Sequence, residues 1–267
     1  MNQPGFTQAG EFTLREPPKR DPFFHVVLRD AEMHEYADNS DLGRREMLHR
    51  HMTNEITSIE IAAACLSEFP DAPWELRMEL ARQCADESRH VRALHRRLQQ
   101  IGGHAGEFPI STFEWNVTSA VDNLVGRLAI QNRTLEAGAI DVVAALAQAF
   151  RSAGDAETAD VLDAINADEV HHVRFANRWI RRMAGEDRRV LMKMASAVRF
   201  LAAVNAWHQI KDGGETNAVG TRLQSPVERI PAVNVEDRKL AEFTDEEIHE
   251  VLRQAGFRAL VAQDVTP

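Results

Sequence analysis

One eight-residue motif occurs twice in this chain, and the repeat restricts the fold more than any other feature. Residues 85–92 read Ala-Asp-Glu-Ser-Arg-His-Val-Arg and residues 167–174 read Ala-Asp-Glu-Val-His-His-Val-Arg, identical at six of eight positions. Each copy holds Glu-x-x-His. On an α-helix, residues three apart sit roughly 60° from each other on one face. Glu87 with His90, and Glu169 with His172, therefore form two polar faces that can share a metal site.

The duplication reaches upstream. Glu55-x-x-x-Ile59-Glu60 matches Glu136-x-x-x-Ile140-Asp141, and the first Glu precedes its Glu-x-x-His by 32 residues in one half and 33 in the other. This spacing describes one helix hairpin used twice. Stacked about a pseudo-twofold axis, the hairpins predict an all-α fold, an antiparallel four-helix bundle with Glu55, Glu87, His90, Glu136, Glu169 and His172 able to point inward. A single Glu-x-x-His is weak evidence, because exposed Glu and His are common on helices. Two copies with matched upstream carboxylates are different, since a purely structural duplication would keep apolar positions first. Four carboxylates and two imidazoles suit a pair of first-row metals: oxygens bridge and neutralise, and imidazole suits iron and manganese.

Along the chain, Pro4, Pro17, Pro18 and Pro22 predict an extended arm over residues 1–22, able to wrap the domain or a partner subunit of a homodimer. A short helix is expected at 23–37. Ser40 or Asp41 opens a helix to about Ser67, stopped before Pro70, and Pro73 opens the next, stopped at Gly102-Gly103. Ser111 and Glu114 have capping-box spacing for a helical region to about Ser152, with a break expected near Gly126–Asn132. Asp155 caps the next helix, to about Ala184. A fifth helix, 187–210, carries Val190, Met194, Val198, Leu201 and Ala202. Residues 213–243, with Pro226 and Pro231, read as loop, and Thr244 with Glu247 caps a last helix, 245–255. The expected organisation is 1–40 arm and short helix, 41–184 bundle, and 185–267 fifth helix and tail packing on the bundle.

The formal charge of −10 argues against nucleic acid or an anionic membrane as partner, and favours a small-molecule or protein-bound substrate. Two cysteines, Cys65 and Cys84, provide neither a disulfide framework nor a CxxC metal module. The N-terminus lacks the basic start and apolar run of a signal peptide, and no run of about 18 uncharged apolar residues occurs. Cytoplasmic residence without a membrane span is expected.

The six-residue pattern resembles that of the ferritin-like superfamily's di-metal carboxylate proteins, over roughly residues 41–184. More closely, TNEITSIEIAAA, ADESRHVR, RTLEAGAIDV, ADEVHHVR and the tail PAVNVEDRKLAEFTDEEI look like a bacterial branch of domains of unknown function, itself similar to the tRNA-modifying di-iron hydroxylases. That branch typically has His-Arg-Glu-Leu where this chain has Thr53-Asn54-Glu55-Ile56. The resemblance implies that Glu55, Glu87, His90, Glu136, Glu169 and His172 are ligands, with two carboxylates bridging.

Other residues carry weaker expectations. Asp86 and Asp168 precede the Glu in each copy, and a metal-bound imidazole usually donates its free N–H to such a group. Asp86 is expected to orient His172, and Asp168 to orient His90. Glu60 and Asp141 lie about 140° round the helix from their ligand carboxylates. With the duplicated Arg92 and Arg174, they read as partners in buried ion pairs. His51, one turn before Glu55, can join the site or line its entrance, while His171 points away from it. Cys84 reads as a small core residue. The lone Tyr36 falls outside the bundle helices, which disfavours a tyrosyl radical.

The expected function is an O₂-activating oxygenase or oxidase (a monooxygenase is one form) with two iron ions, Mn/Fe or Mn₂ being the alternatives, on a small or carrier-bound substrate. Electrons need an external donor, because no flavin, nicotinamide or iron–sulfur motif is present. The competing expectation is a ferroxidase-like or oxidant-scavenging iron protein without an organic substrate.

Overall fold

The computed structural model describes residues 5–34, 36, 40–209 and 233–255. The fold is all-α, as expected. Four long segments form its centre: α1 (Asp41–Glu68), α2 (Trp74–Gln100), the composite α4 (Leu124–Ile130), π-helical turn (Gln131–Glu136) and α5 (Ala137–Ser152), and α6 (Ala156–Glu186). Ser40 Oγ accepts from Gly43 N at 2.9 Å to start α1, and Asp155 Oδ1 accepts from Thr158 N at 3.0 Å to start α6. Gly102 and Gly154, at φ 82° and 84°, terminate α2 and α5 in a backbone region closed to most side chains.

Cross-helix contacts fix the directions. Leu48 and Met52 pack with Leu94 and Leu98, while Ile61 and Cys65 pack with Leu76 and Leu80, so α1 and α2 are antiparallel. Gln131 bonds Ser58 and Arg127 bonds Glu68, so the composite helix also runs antiparallel to α1. Consequently α2 and α4–α5 run the same way. The connection 101–123 must return along the bundle, and it does so carrying β4 (Ile110–Ser111) and α3 (Phe113–Thr118). The two apolar clusters, one around Leu76, Leu80 and Phe175 and the other around Leu94, Leu98 and Leu162, lie on either side of a polar layer.

Several expectations are corrected. The arm is a packed hairpin, β1 (Phe6–Ala9) with β2 (Phe12–Arg15), joined by a two-residue turn with Gly10 at φ 61°. Leu14 and Ala9 are buried against Val117, Ile130 and Val204, because the alternating Phe-Thr-Leu pattern gives the hairpin an apolar face that the prolines after it obscure. Residues 23–37 hold no α-helix among the described positions. Val26–Val27 (β3) instead pair in parallel with β4, followed by a 3₁₀ turn at Asp30–Glu32. Ser111 and Glu114 form no capping box: α3 starts after Thr112, and Ser111 belongs to the strand. The break expected near Gly126–Asn132 falls at the end of that range, as the π turn, and a second, unexpected break lies at 119–123.

α7 (Arg189–His208) buries Val190, Ala197, Leu201, Val204 and His208 and leaves Val198 and Ala202 exposed, correcting part of the expected apolar set. By length and composition alone, it is also the one described helix that could cross a membrane. It packs on α4, α3 and α6. Within the expected loop 213–243, residues 235–240 form α8 (Val235–Leu240), whereas Pro226 and Pro231 lie outside the described residues. α9 (Asp245–Gln254) has the Thr244–Glu247 capping box.

Candidate metal centre

The polar layer contains the four carboxylates and two imidazoles singled out by the repeats. Glu55 comes from α1, Glu87 and His90 from α2, Glu136 from the π turn, and Glu169 and His172 from α6. None is more than 6% exposed. They fall into two groups of four, Glu55, Glu87, His90 and Glu169, and Glu87, Glu136, Glu169 and His172. Within each group, one candidate ligand atom per residue lies within 4.8 Å of the others. Glu87 and Glu169 belong to both.

Both imidazoles turn Nδ1 toward the cluster. His90 Nδ1 is 2.8 Å from Glu87 Oε2 and 3.5 Å from Glu169 Oε1, and His172 Nδ1 is 3.4 Å from Glu87 Oε1 and 3.5 Å from Glu169 Oε2. Their Nε2 atoms face aspartates across the bundle: His90 Nε2 lies 3.1 Å from Asp168 Oδ2, and His172 Nε2 lies 3.4 Å from Asp86 Oδ2. With Nε2–H donating to a carboxylate, Nδ1 is left with its lone pair aimed inward.

The donor set fits cations. Four ionised carboxylates carry the charge that two divalent ions would cancel, and burying them uncompensated is expensive. Two polar atoms inside the cluster, Glu169 Oε2 and His172 Nδ1, have no hydrogen-bond partner despite complete burial, a costly arrangement that a bound cation would relieve. Proton affinities carry the same strain. Burial, then the charge of Glu87, drives the Glu55 and Glu169 carboxyls above the ordinary range, and burial with the charge of Glu169 does the same to Glu136. Burial would raise Glu87 too, but the His172 and His90 imidazoles beside it hold it low. Burial opposes protonation of His90, yet Glu55 and Glu87 push it up to about 11. His172 is likewise raised against burial, by Asp86, Glu169 and Glu87.

Amide side chains invisible to the repeat argument complete the layer. Gln83, one turn before Glu87, donates Nε2 to Glu136 Oε1 at 2.5 Å and to Glu87 Oε1 at 3.2 Å. Asn132 Nδ2 donates to Glu136 Oε2 at 2.8 Å, and Gln131 Nε2 to Ser58 Oγ at 3.1 Å. The π turn widens the helix so that residues five apart, Gln131 and Glu136, come within reach of each other, 3.5 Å. Among the described residues, no amide side chain bonds Glu55. Its side opens on a cavity of about 60 Å³ lined by His51, Glu114, Ala139 and Leu135 among others. Glu114 is half-buried, and burial pushes its carboxyl up to about 7, whereas burial and then the His90 charge push the His51 imidazole down to about 4. His51 Nε2 is 3.9 Å from Glu55 Oε1, so it lines the cavity beside the cluster. A larger cleft of about 490 Å³, beside Arg97 and Asp155, lies two helical turns along α2 from His90, away from the cluster.

The remaining expectations separate. Glu60 and Asp141 are in ion pairs, but their partners are Arg20 (2.5 Å) and Arg238 (2.6 Å) rather than Arg92 and Arg174. Arg92 is exposed, and Arg174 bonds His171. His171 turns outward to Glu79 at 3.1 Å. Cys84 is half-buried against the Ile59 carbonyl, and Tyr36, in the N-terminal segment, meets Phe108 edge to face.

The family model described as "Protein of unknown function (DUF455)" matches residues 5–249. A curated protein of Haemophilus influenzae, described as an uncharacterized protein, is 27% identical over 162 residues, which cover 58% of this chain and 56% of that protein. The match thus spans little more than half of either chain. No solved structure matches significantly.

Proposed function

This chain belongs to the family described as protein of unknown function DUF455, and within it we propose a ferritin-like carboxylate protein that holds two metal ions, iron in our reading, and activates O₂. The observation that carries this reading is the sharing of Glu87 and Glu169 between the two four-residue groups. In it, Glu87 and Glu169 would serve both ions, with Glu55 and His90 holding one and Glu136 and His172 the other. Two such ions, when bound and reduced, supply the electrons that O₂ activation needs.

The protein's own residues do the rest. Asp86 and Asp168 would keep each imidazole in the tautomer with Nδ1 free, and Gln83 and Asn132 each hold one oxygen of Glu136. The apolar layers on either side exclude bulk water. The cavity beside Glu55 admits a molecule the size of O₂ or a few waters, while organic ligands generally need about 300 Å³ or more. An organic substrate therefore reaches the centre only with movement around His51, Glu114 and Leu135. We assign the class as a cytoplasmic non-heme di-iron oxidoreductase, an oxygenase or oxidase on a small or carrier-bound substrate, with electrons from a separate donor.

That small cavity also favours a second reading, a ferroxidase-like or scavenging protein without an organic substrate. Anaerobic loading with Fe²⁺ followed by an O₂ pulse separates the two. An oxygenase takes two irons per chain and turns over repeatedly with an external reductant, whereas a storage protein accumulates many irons per chain. A scavenger holds two but consumes O₂ or peroxide without transferring oxygen or removing hydrogen from any added compound.

A further inference from the structure

We propose that Arg89 is a positioning residue joining the two halves of the metal centre: one guanidinium holds Asp86 and Asp168 together and, through them, sets His172 and His90. The inference rests on the metal-centre reading above.

Arg89 occupies the position at which the two octets part, Ser88-Arg89 in one copy and Val170-His171 in the other. In a symmetric duplication each aspartate would have its own equivalent neighbour. Instead Arg89 Nη2 lies 2.5 Å from Asp86 Oδ1 and 3.1 Å from Asp168 Oδ2, so one cation serves both carboxylates. Its counterpart His171 leaves the centre for Glu79 and Arg174.

The support is unequal. Asp86 also has Arg82, at 3.4 Å, whereas the contacts of Asp168 are Arg89 and His90, both on the same oxygen, Oδ2. Asp168 is 22% exposed in its side chain, so without Arg89 it is free to turn to solvent, leaving the His90 N–H unheld. Asp86 keeps Arg82 and stays. Loss of Arg89 thus falls on the position built from Glu55, Glu87, His90 and Glu169 more than on its partner. Because Arg89 is 55% exposed, its ion pairs add little to global stability, and the effect is confined to the centre.

The test is anaerobic titration with Co²⁺, followed by its visible bands, on wild type and the Arg89→Gln, Asp168→Asn, Asp86→Asn and Arg92→Gln proteins, with thermal melts alongside. Wild type is expected to take two cobalt ions. Arg89→Gln melts like wild type, yet one cobalt step weakens about ten-fold, the low end for an outer-shell partner, and the other by less than about three-fold. The weakened step carries the spectrum of the step lost in Asp168→Asn, not in Asp86→Asn. Arg92→Gln, the loss of an exposed charge one turn away, moves neither. Two unchanged steps in folded Arg89→Gln, or equal weakening of both, overturn the inference. A wild-type protein that takes fewer than two cobalt ions overturns the metal-centre reading itself, and this inference with it.

Discussion

His172 Nε2 sits 3.4 Å from Asp86 Oδ2 while its Nδ1 faces Glu87 and Glu169 from inside the bundle. The carboxylate of one repeat therefore orients the imidazole of the other. Replacing Asp86 with alanine frees the ring to rotate and to change tautomer. Metal affinity is expected to fall about 10- to 100-fold, the usual cost of losing such a partner. Competition against a chelating dye measures it, and unchanged affinity contradicts the assignment.

A cluster that binds protons more tightly when folded than when unfolded is stabilised at low pH. Glu55, Glu136 and Glu169 are raised, His172 is raised, and His90 is pushed up to about 11. Their contribution is complete below the unfolded values, about 4.3 for Glu and 6.5 for His, and is lost as pH rises through the folded ones. Glu87, held low, contributes in the opposite sense and only on acidification. The metal-free protein should therefore melt at progressively lower temperature from about pH 6 to pH 9. Metal must expel these protons to bind, so its stabilising effect should grow over the same range. Melting curves with and without Zn²⁺ read both trends.

How much of this was legible in the chain depends on whether a residue belongs to the repeat. The Glu-x-x-His pairs and upstream carboxylates share a helical period, so spacing alone places them on facing sides of a bundle. Gln83, Asn132 and Glu114 have no counterpart in the other half. Their roles come from the π turn and from the crossover segment, both tertiary features. The Ser111–Glu114 spacing resembled a helix cap, yet Ser111 pairs as a strand with Val27 and Glu114 faces the cavity. Likewise, duplicated arginines suggested partners for Glu60 and Asp141, but the actual partners come from the arm and from α8. Contacts that close loops of 40 and 97 residues leave no local trace.

The Asp141–Arg238 pair is buried on both sides, with Arg238 also donating to the Ala137 carbonyl at 3.0 Å. It ties α8 to the helix that follows Glu136. Arg238→Met leaves a buried carboxylate uncompensated and should cost about 3–5 kcal/mol in denaturant unfolding. The double variant Asp141→Leu with Arg238→Met should recover much of that loss. A double variant as unstable as the single one would mean that the pair's charges are not the cause.

Ala139 lines the cavity beside Glu55. A leucine there would narrow a space of about 60 Å³ whose walls also include Glu55, Glu136 and Glu169. Ala139→Leu should still hold two metal ions while its Fe²⁺ form reacts with O₂ at least about ten-fold more slowly, a barrier higher by about 1.4 kcal/mol. Stopped-flow mixing with O₂ gives the rate, and an unaltered rate would mean that O₂ enters elsewhere.

The central claim is that Glu87 and Glu169 hold two ions between them. Elemental analysis of the purified protein after reconstitution with Fe²⁺, compared with Glu87→Ala and Glu169→Ala, tests it most directly. Two metal ions per wild-type chain and less than one in either folded variant are expected, since each variant strips a ligand from both positions. Two ions retained in both variants, or none in wild type, would contradict it.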